Sequence, residues 1–160
     1  MELPPGLTCS IEDAPAEAEV EALSQQLEGF NERRWPGHQP WTPLALLIRR
    51  GATVVGGLTG ESYAGWFFIR YFWLEEDIRR RGLGRQVIAA AEQRARERGC
   101  HGIYLDTFSF QAPDFYRKQG YVEFGRLPYP PQGERIWLRK SLLPGDPPNA
   151  APSRAHPTGG

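Results

Sequence analysis

The chain has 160 residues, 40% of them hydrophobic and 12% aromatic, and its 19 lysines and arginines are balanced by 19 acidic residues. That length suits one domain with a proper core, and zero net charge provides no general attraction to nucleic acid or to an acidic membrane surface. The two cysteines, Cys9 and Cys100, lack C-x-x-C spacing, which argues against a disulfide framework and a thiolate zinc site. In chain order, the opening M-E-L-P-P-G carries no basic-then-apolar leader pattern, and Leu7–Ile11 reads as a short strand. Val20, Leu23 and Leu27 fall on one face of a predicted amphipathic helix over Ala16–Phe30. Residues 31–43, broken by three prolines and a glycine, read as a loop or a short helical turn. Strands at Leu44–Ile48, Thr53–Leu58 and Tyr63–Leu74, joined by glycine-containing turns, make a meander.

Within it Trp66–Leu74, W-F-F-I-R-Y-F-W-L, is apolar almost throughout, so it is expected at the centre of the sheet with both faces covered. It is too short to span a membrane and contains Arg70. From Leu83 the period becomes helical, with Val87, Ile88, Ala91 and Ala95 on one face and Gly99 as a C-terminal stop. Ile103–Phe108 is a further strand, Pro113–Gln119 a short helix ended by Gly120, and Tyr121–Leu127 and Arg135–Arg139 two last strands. The strand–helix–strand step from Trp66 to Phe108 forces one parallel pairing in an α/β arrangement. Residues 1–143 are expected as the domain and residues 144–160, rich in proline and glycine, as a disordered tail. The expectation is a cytoplasmic, reduced protein without membrane or nucleic-acid partners.

The stretch D-I-R-R-R-G-L-G-R-Q-V-I, residues 77–88, sits after the central strand and in the first turn of a helix. The first amides of a helix lack intrahelical partners and carry partial positive charge. Gly82 and Gly84 remove Cβ atoms and permit close backbone approach, and the neighbouring arginines add bidentate donors suited to phosphate oxygens. A solvated turn and a nucleic-acid patch are the competing readings, but the setting favours a phosphate or pyrophosphate cradle. Neither G-x-G-x-x-G nor the Walker pattern is present.

These residues resemble the GNAT superfamily of acetyl-CoA-dependent N-acetyltransferases. Arg79-Arg80-Arg81-Gly82-Leu83-Gly84 is similar to its R/Q-x-x-G-x-G/A signature, and Q-A-P-D-F-Y-R-K-Q-G-Y at 111–121 resembles its A-x-x-F-Y-x-x-x-G-F/Y segment. The resemblance runs from about Leu44 to Leu142. It implies a mixed, mostly antiparallel central sheet with one parallel strand pair, flanked by helices. It also implies that the pyrophosphate of acetyl-CoA sits on the amides from Arg79 to Gly84, with Arg85 closing the loop. By the same likeness Leu74, preceded by Trp73, offers its backbone to the pantetheine arm, and Tyr116 protonates the departing thiolate. Ser109 stands where many members carry a cofactor-contacting asparagine.

Direct transfer to an amine needs an unprotonated nucleophile, a stabilised oxyanion and a proton for the leaving thiolate. Asp106, at a strand end, is the first candidate for the base, ahead of Glu61, Glu75 and Glu76. His38, Trp35, Trp41, Phe30 and Tyr129 could border an acceptor pocket, whereas Cys100 reads as a small buried hydrophobe. The expected activity is acetylation of a primary amine of a small molecule or peptide, without a metal. A CoA-binding module with little turnover is the alternative. The acceptor itself is not legible, and the meander edge offers a route to a homodimer.

Overall fold

The computed structural model describes residues 2–145, so the expected tail lies, from residue 146 onward, outside the described residues. The chain separates into two compact units, residues 1–38 and residues 39 onward. In the first, helix α1 spans Glu17–Arg34, with Glu17 and Glu19 in its first turn and Arg33 and Arg34 in its last, matching the helix dipole at both ends. The predicted stripe is present on the helix but not covered: Val20, Leu23 and Leu27 are exposed, and α1 buries no residue. The expected strand at Leu7–Ile11 does not form. Ile11 is 94% exposed and no neighbouring strand pairs with the segment, and an unpaired extended stretch gains no ladder hydrogen bonds.

The second unit is built on six strands: β1 (Thr42–Arg50), β2 (Thr53–Tyr63), β3 (Trp66–Leu74), β4 (Gly102–Phe108), β5 (Val122–Tyr129) and β6 (Gly133–Ser141). A single 3-10 turn, Glu76–Ile78, and helix α2, Leu83–Glu97, connect β3 to β4, and helix α3, Pro113–Lys118, connects β4 to β5. The sheet order is β1-β2-β3-β4-β6-β5, with β3 and β4 as its one parallel pair, as the crossover helix requires. Leu58, Phe67, Ile69, Ile103, Leu105, Ile136 and Leu138 line one face of the sheet, where Val87, Ile88, Ala91 and Ala95 of α2 pack in the same buried cluster. Arg98 ties the end of α2 to the meander, giving Nη1–H to the Thr42 carbonyl at 2.8 Å and Nη2–H to that of Pro43 at 2.9 Å.

Strand β3 is central, as expected, but it is not covered on both faces. Thr59 of β2 faces Tyr71 and Gly60 faces Ile69, so Arg70 is an extra residue, a β-bulge. The bulge inverts the alternation: Phe67 and Ile69 are buried before it and Leu74 after it, while Arg70, Tyr71 and Trp73 are exposed. The near-continuous apolar run is therefore two half-buried segments out of phase, rather than one strand buried on both sides.

The bulge also marks where the sheet opens. Parallel pairing joins Trp66–Ile69 to Gly102–Leu105 and then stops. Beyond it β3 keeps only its partner β2, and Asp106–Phe108 keep only β6. The carboxyl ends of the parallel pair thus part, leaving two unpaired backbone edges facing each other.

Candidate functional site

The segment between β3 and α2, where the cradle is expected, follows the end of this split. The chain leaves Leu74 through the 3-10 turn, Arg80 takes a left-handed φ of 63°, and Gly82 caps α2 with φ 76°. A Cβ on Gly82 would meet no protein atom within 4 Å, so that side of the backbone is open to an approaching group. The first intrahelical bond runs from the Gln86 amide to the Gly82 carbonyl, which leaves the amides of Leu83, Gly84 and Arg85 without intrahelical acceptors. Among the described residues no hydrogen bond or ion pair engages the side chains of Arg80, Arg81 or Arg85. Unpaired helix amides, an open glycine and three unpaired guanidiniums thus lie together, and these are the donors that phosphate oxygens require.

Arg79 differs from its neighbours. Its Nε–H donates to the Leu74 carbonyl at 2.7 Å, tying the cradle to the end of β3. From outside, Arg50 holds the same turn through the carboxylates of Glu75, at 3.4 Å, and Asp77. Gly84 differs from Gly82: a Cβ there would lie 3.3 Å from the Phe115 ring and 3.5 Å from that of Phe72. Its missing side chain lets α2 approach α3, whereas the vacancy at Gly82 faces outward.

That contact matters because α3 carries Tyr116. The helix is placed by Gln111, whose Oε1 accepts from the Thr107 hydroxyl at 2.9 Å and from the Phe108 amide at 2.8 Å, bending the chain away from β4. Nothing in the sequence pattern singled out Gln111. The Tyr116 ring is 6.4 Å from that of Phe72 and 5.2 Å from that of Phe115. Burial, with a smaller contribution from the Asp106 carboxylate, pushes its hydroxyl up to about 12. Tyr121 is more deeply buried, and its hydroxyl is sealed from solvent without a hydrogen-bond partner. The Tyr116 hydroxyl is also without a partner among the described residues, yet it is not sealed in this way.

The other sequence candidates fall in three places. Asp106, just past the last β4 residue paired with β3, binds the Arg135 Nε–H through Oδ2 at 2.7 Å. Glu61 is likewise held by Arg70, while Trp73 is exposed beside the buried Leu74. Ser109 lies at the β4–β6 joint: its amide donates to the Glu134 carbonyl at 2.8 Å and its hydroxyl accepts from the Glu134 amide at 3.1 Å. Cys100 is buried, and desolvation raises its thiol, as suits a packing residue rather than a nucleophile. Trp41 stacks on Tyr63 at 4.2 Å and Tyr129 stands edge-on to Phe108 at 5.4 Å. Phe30, Trp35 and His38 belong to the first unit, where both ring nitrogens of His38 are engaged, by the Glu28 carboxylate at 2.8 Å and the Trp35 carbonyl at 2.9 Å.

The parallel strand pair therefore parts next to a helix start with an open glycine and unpaired arginines, and the Tyr116 ring stands 6.4 Å from that of Phe72 on β3. The chain matches the acetyltransferase (GNAT) family over residues 10–121. It is 35% identical to acetyltransferase Atu2258 of Agrobacterium fabrum over 79% of its own length and 93% of that protein's. It is 42% identical to blasticidin-S acetyltransferase of Streptomyces morookaense over 49% of the chain and 59% of the relative. Among solved structures, an acetyltransferase from Bacillus cereus superposes with a TM-score of 0.73 at 31% identity, over 82% of this chain and 97% of that one. The chain belongs to the GNAT family of acetyltransferases. Acetyl-CoA is its cosubstrate, and the cradle's open glycine, free amides and unpaired arginines fit the phosphates of that molecule.

Proposed function

We propose that the protein transfers an acetyl group from acetyl-CoA directly to the primary amine of a small molecule or peptide. The observation that carries this reading is the splayed β3–β4 pair with the cradle at one end and the Tyr116 hydroxyl beside it. The relative named for blasticidin S supports a small-molecule acceptor.

In this reading acetyl-CoA supplies the activated thioester, and the remaining work belongs to the chain. The amides of Leu83, Gly84 and Arg85 and the guanidiniums of Arg80, Arg81 and Arg85 hold the phosphates. Arg79 acts differently, as a positioning residue: it fixes the Leu74 carbonyl and so sets the β3 edge, from Trp73 to Leu74, against which the pantetheine arm is laid. Tyr116 donates its proton to the departing sulfur. A hydroxyl raised to about 12 is fully protonated at neutral pH, so the donor is always loaded. It is also a weak acid towards a thiolate with a normal value of about 8.5. Tyr116 therefore works as a relay, regaining from the attacking nitrogen the proton it gives to sulfur, and no free phenolate accumulates.

Asp106, the first candidate for the base, is already engaged by Arg135, whose Nε–H occupies its Oδ2 at 2.7 Å. We assign it instead to orienting Arg135 and keeping the Tyr116 hydroxyl protonated. The amine then loses its proton before attack, so kcat/KM should rise with pH along the acceptor's own titration. Ser109 serves the β4–β6 joint in this scheme and not the cofactor. The test is thiol release from acetyl-CoA with a panel of amines, coupled to mass detection of the N-acetyl product. Release that depends on the amine and matches product one for one supports the reading, and no product with any amine contradicts it.

A further inference from the structure

The sheet face away from α2 carries two ion-paired arginines, Arg70 and Arg135, that the donor site does not use. Strand alternation places Glu61, Phe68, Asp106, Arg135 and Trp137 on this face, opposite the buried Phe67, Leu105, Ile136 and Leu138. Each arginine is anchored twice. Arg70 binds the Glu61 carboxylate and lies over the Phe68 ring, 6.0 Å from its centroid. Arg135 binds Asp106 and lies over the Trp137 ring at 5.3 Å.

In both pairs the carboxylate is the covered member. The side chains of Glu61 and Asp106 are 22% and 17% exposed, against 51% and 36% for Arg70 and Arg135. Surface ion pairs ordinarily leave both partners in water and contribute little. Here each carboxylate lies beneath and its guanidinium faces outward. Arg70 commits Nη2 to Glu61, leaving Nε and Nη1 with the Tyr71 hydroxyl nearby, whereas Arg135 commits Nε to Asp106, leaving its two Nη atoms with the Tyr129 hydroxyl nearby. The placement is specific as well. Arg70 is the bulge residue at which β3 leaves β4, and Asp106 is the first β4 residue past the pairing, so the two pairs flank the split.

We propose that Arg70 and Arg135 bind a carboxylate on the acceptor, so that the preferred acceptors are amines that also carry a carboxylate, as amino acids do. This rests on the reading of the chain as an enzyme that acetylates amines. A guanidinium fork matches a carboxylate in shape and charge, and anchoring by an acid and a ring reduces the rotamer freedom lost on binding. The remaining oxygens of Glu61 and Asp106 give the acceptor's ammonium end a place on the same face before it loses its proton. The site suits a zwitterion better than a simple cation, since each arginine nearly cancels its own carboxylate.

The test compares L-phenylalanine, its methyl ester and 2-phenylethylamine, three amines that share a ring, together with L-leucine and isoamylamine. The full-length protein should show a kcat/KM for each acid at least ~10-fold above those of its carboxylate-free partners, the range for hydrogen bonds to charged groups. Arg70→Gln and Arg135→Gln should each narrow that gap, with Arg70→Lys restoring part of it, and with KM for acetyl-CoA moving less than about twofold since neither arginine lies in the cradle. Equal rates for acids and their partners overturn the proposal, as does a preference for acids that survives both glutamine variants. Acetylation of no amine at all overturns the underlying reading instead. Should either variant fail to fold, the acid-to-ester comparison in the unmodified protein decides alone.

Discussion

At the scale of single residues the proposed function rests on Tyr116 and Gly82. Replacing Tyr116 by Phe keeps the ring among Phe72, Phe115 and Tyr121 and removes only the hydroxyl. The expected result is a fall in kcat of ~10²- to 10⁴-fold, the usual worth of a positioned proton donor, with the affinity for acetyl-CoA preserved by calorimetry. The same substitution has a signature in stability. Burial raises the Tyr116 hydroxyl from 10 to about 12, so below pH 10 it is protonated in both folded and unfolded chains and favours neither. Between those values the unfolded chain ionises first, and the folded state loses stability as pH rises. Tyr116→Phe should therefore remove part of the alkaline loss seen in urea titrations above pH 10, leaving the part due to Tyr121, which is shifted in the same direction. At the cradle Gly82→Val meets both obstacles at once, a φ of 76° and a side chain projecting into the open ligand side. It should weaken acetyl-CoA binding more than Arg80→Ala, which removes one of three unpaired guanidiniums.

Between elements, two joints would transmit position from the proposed cradle to the proposed reacting end. The Arg79 bond to the Leu74 carbonyl connects the phosphate loop to β3, and the close approach at Gly84 connects α2 to α3. Arg79→Met should raise KM for acetyl-CoA by about 10-fold with kcat within about threefold, because a lost hydrogen bond of ~1–1.5 kcal/mol displaces the arm's edge without touching Tyr116. Gly84→Val should act differently. Its side chain must push Phe115 aside at a cost of ~1–3 kcal/mol, moving α3 and with it Tyr116, so kcat falls along with thermal stability. Steady-state kinetics on the two variants separates the joints by which constant moves.

Across the whole chain, the sequence carries the element order well and the phase of elements poorly. Glycine turns, the helical period after Leu83 and the strand–helix–strand step were enough for the sheet with one parallel pair. The run from Trp66 to Leu74 misleads because a bulge adds one residue to one strand of a pair, and only the partner's register reveals it. The same bulge places Arg70 where the β3–β4 pairing ends, so the split was hidden with it. Leu7–Ile11 and the stripe on α1 show the converse: an apolar spacing states what could be covered and not what covers it. The cradle was legible because its signal is local, glycines and arginines at one helix start. The engagement of Asp106 by Arg135 was not, since the two residues are brought together only by the pairing of β4 with β6.

The central claim is that the split between β3 and β4 is an acetyl-transfer site in which Tyr116 relays the proton. Rapid-quench measurement of thiol release and N-acetyl product, comparing the unmodified chain with Tyr116→Phe at saturating acetyl-CoA, tests it most directly. Product and free thiol should rise together, only when an amine is present, and both should be slowed by ~10²-fold or more in the variant. Thiol release without an amine, or undiminished transfer by Tyr116→Phe, would contradict it.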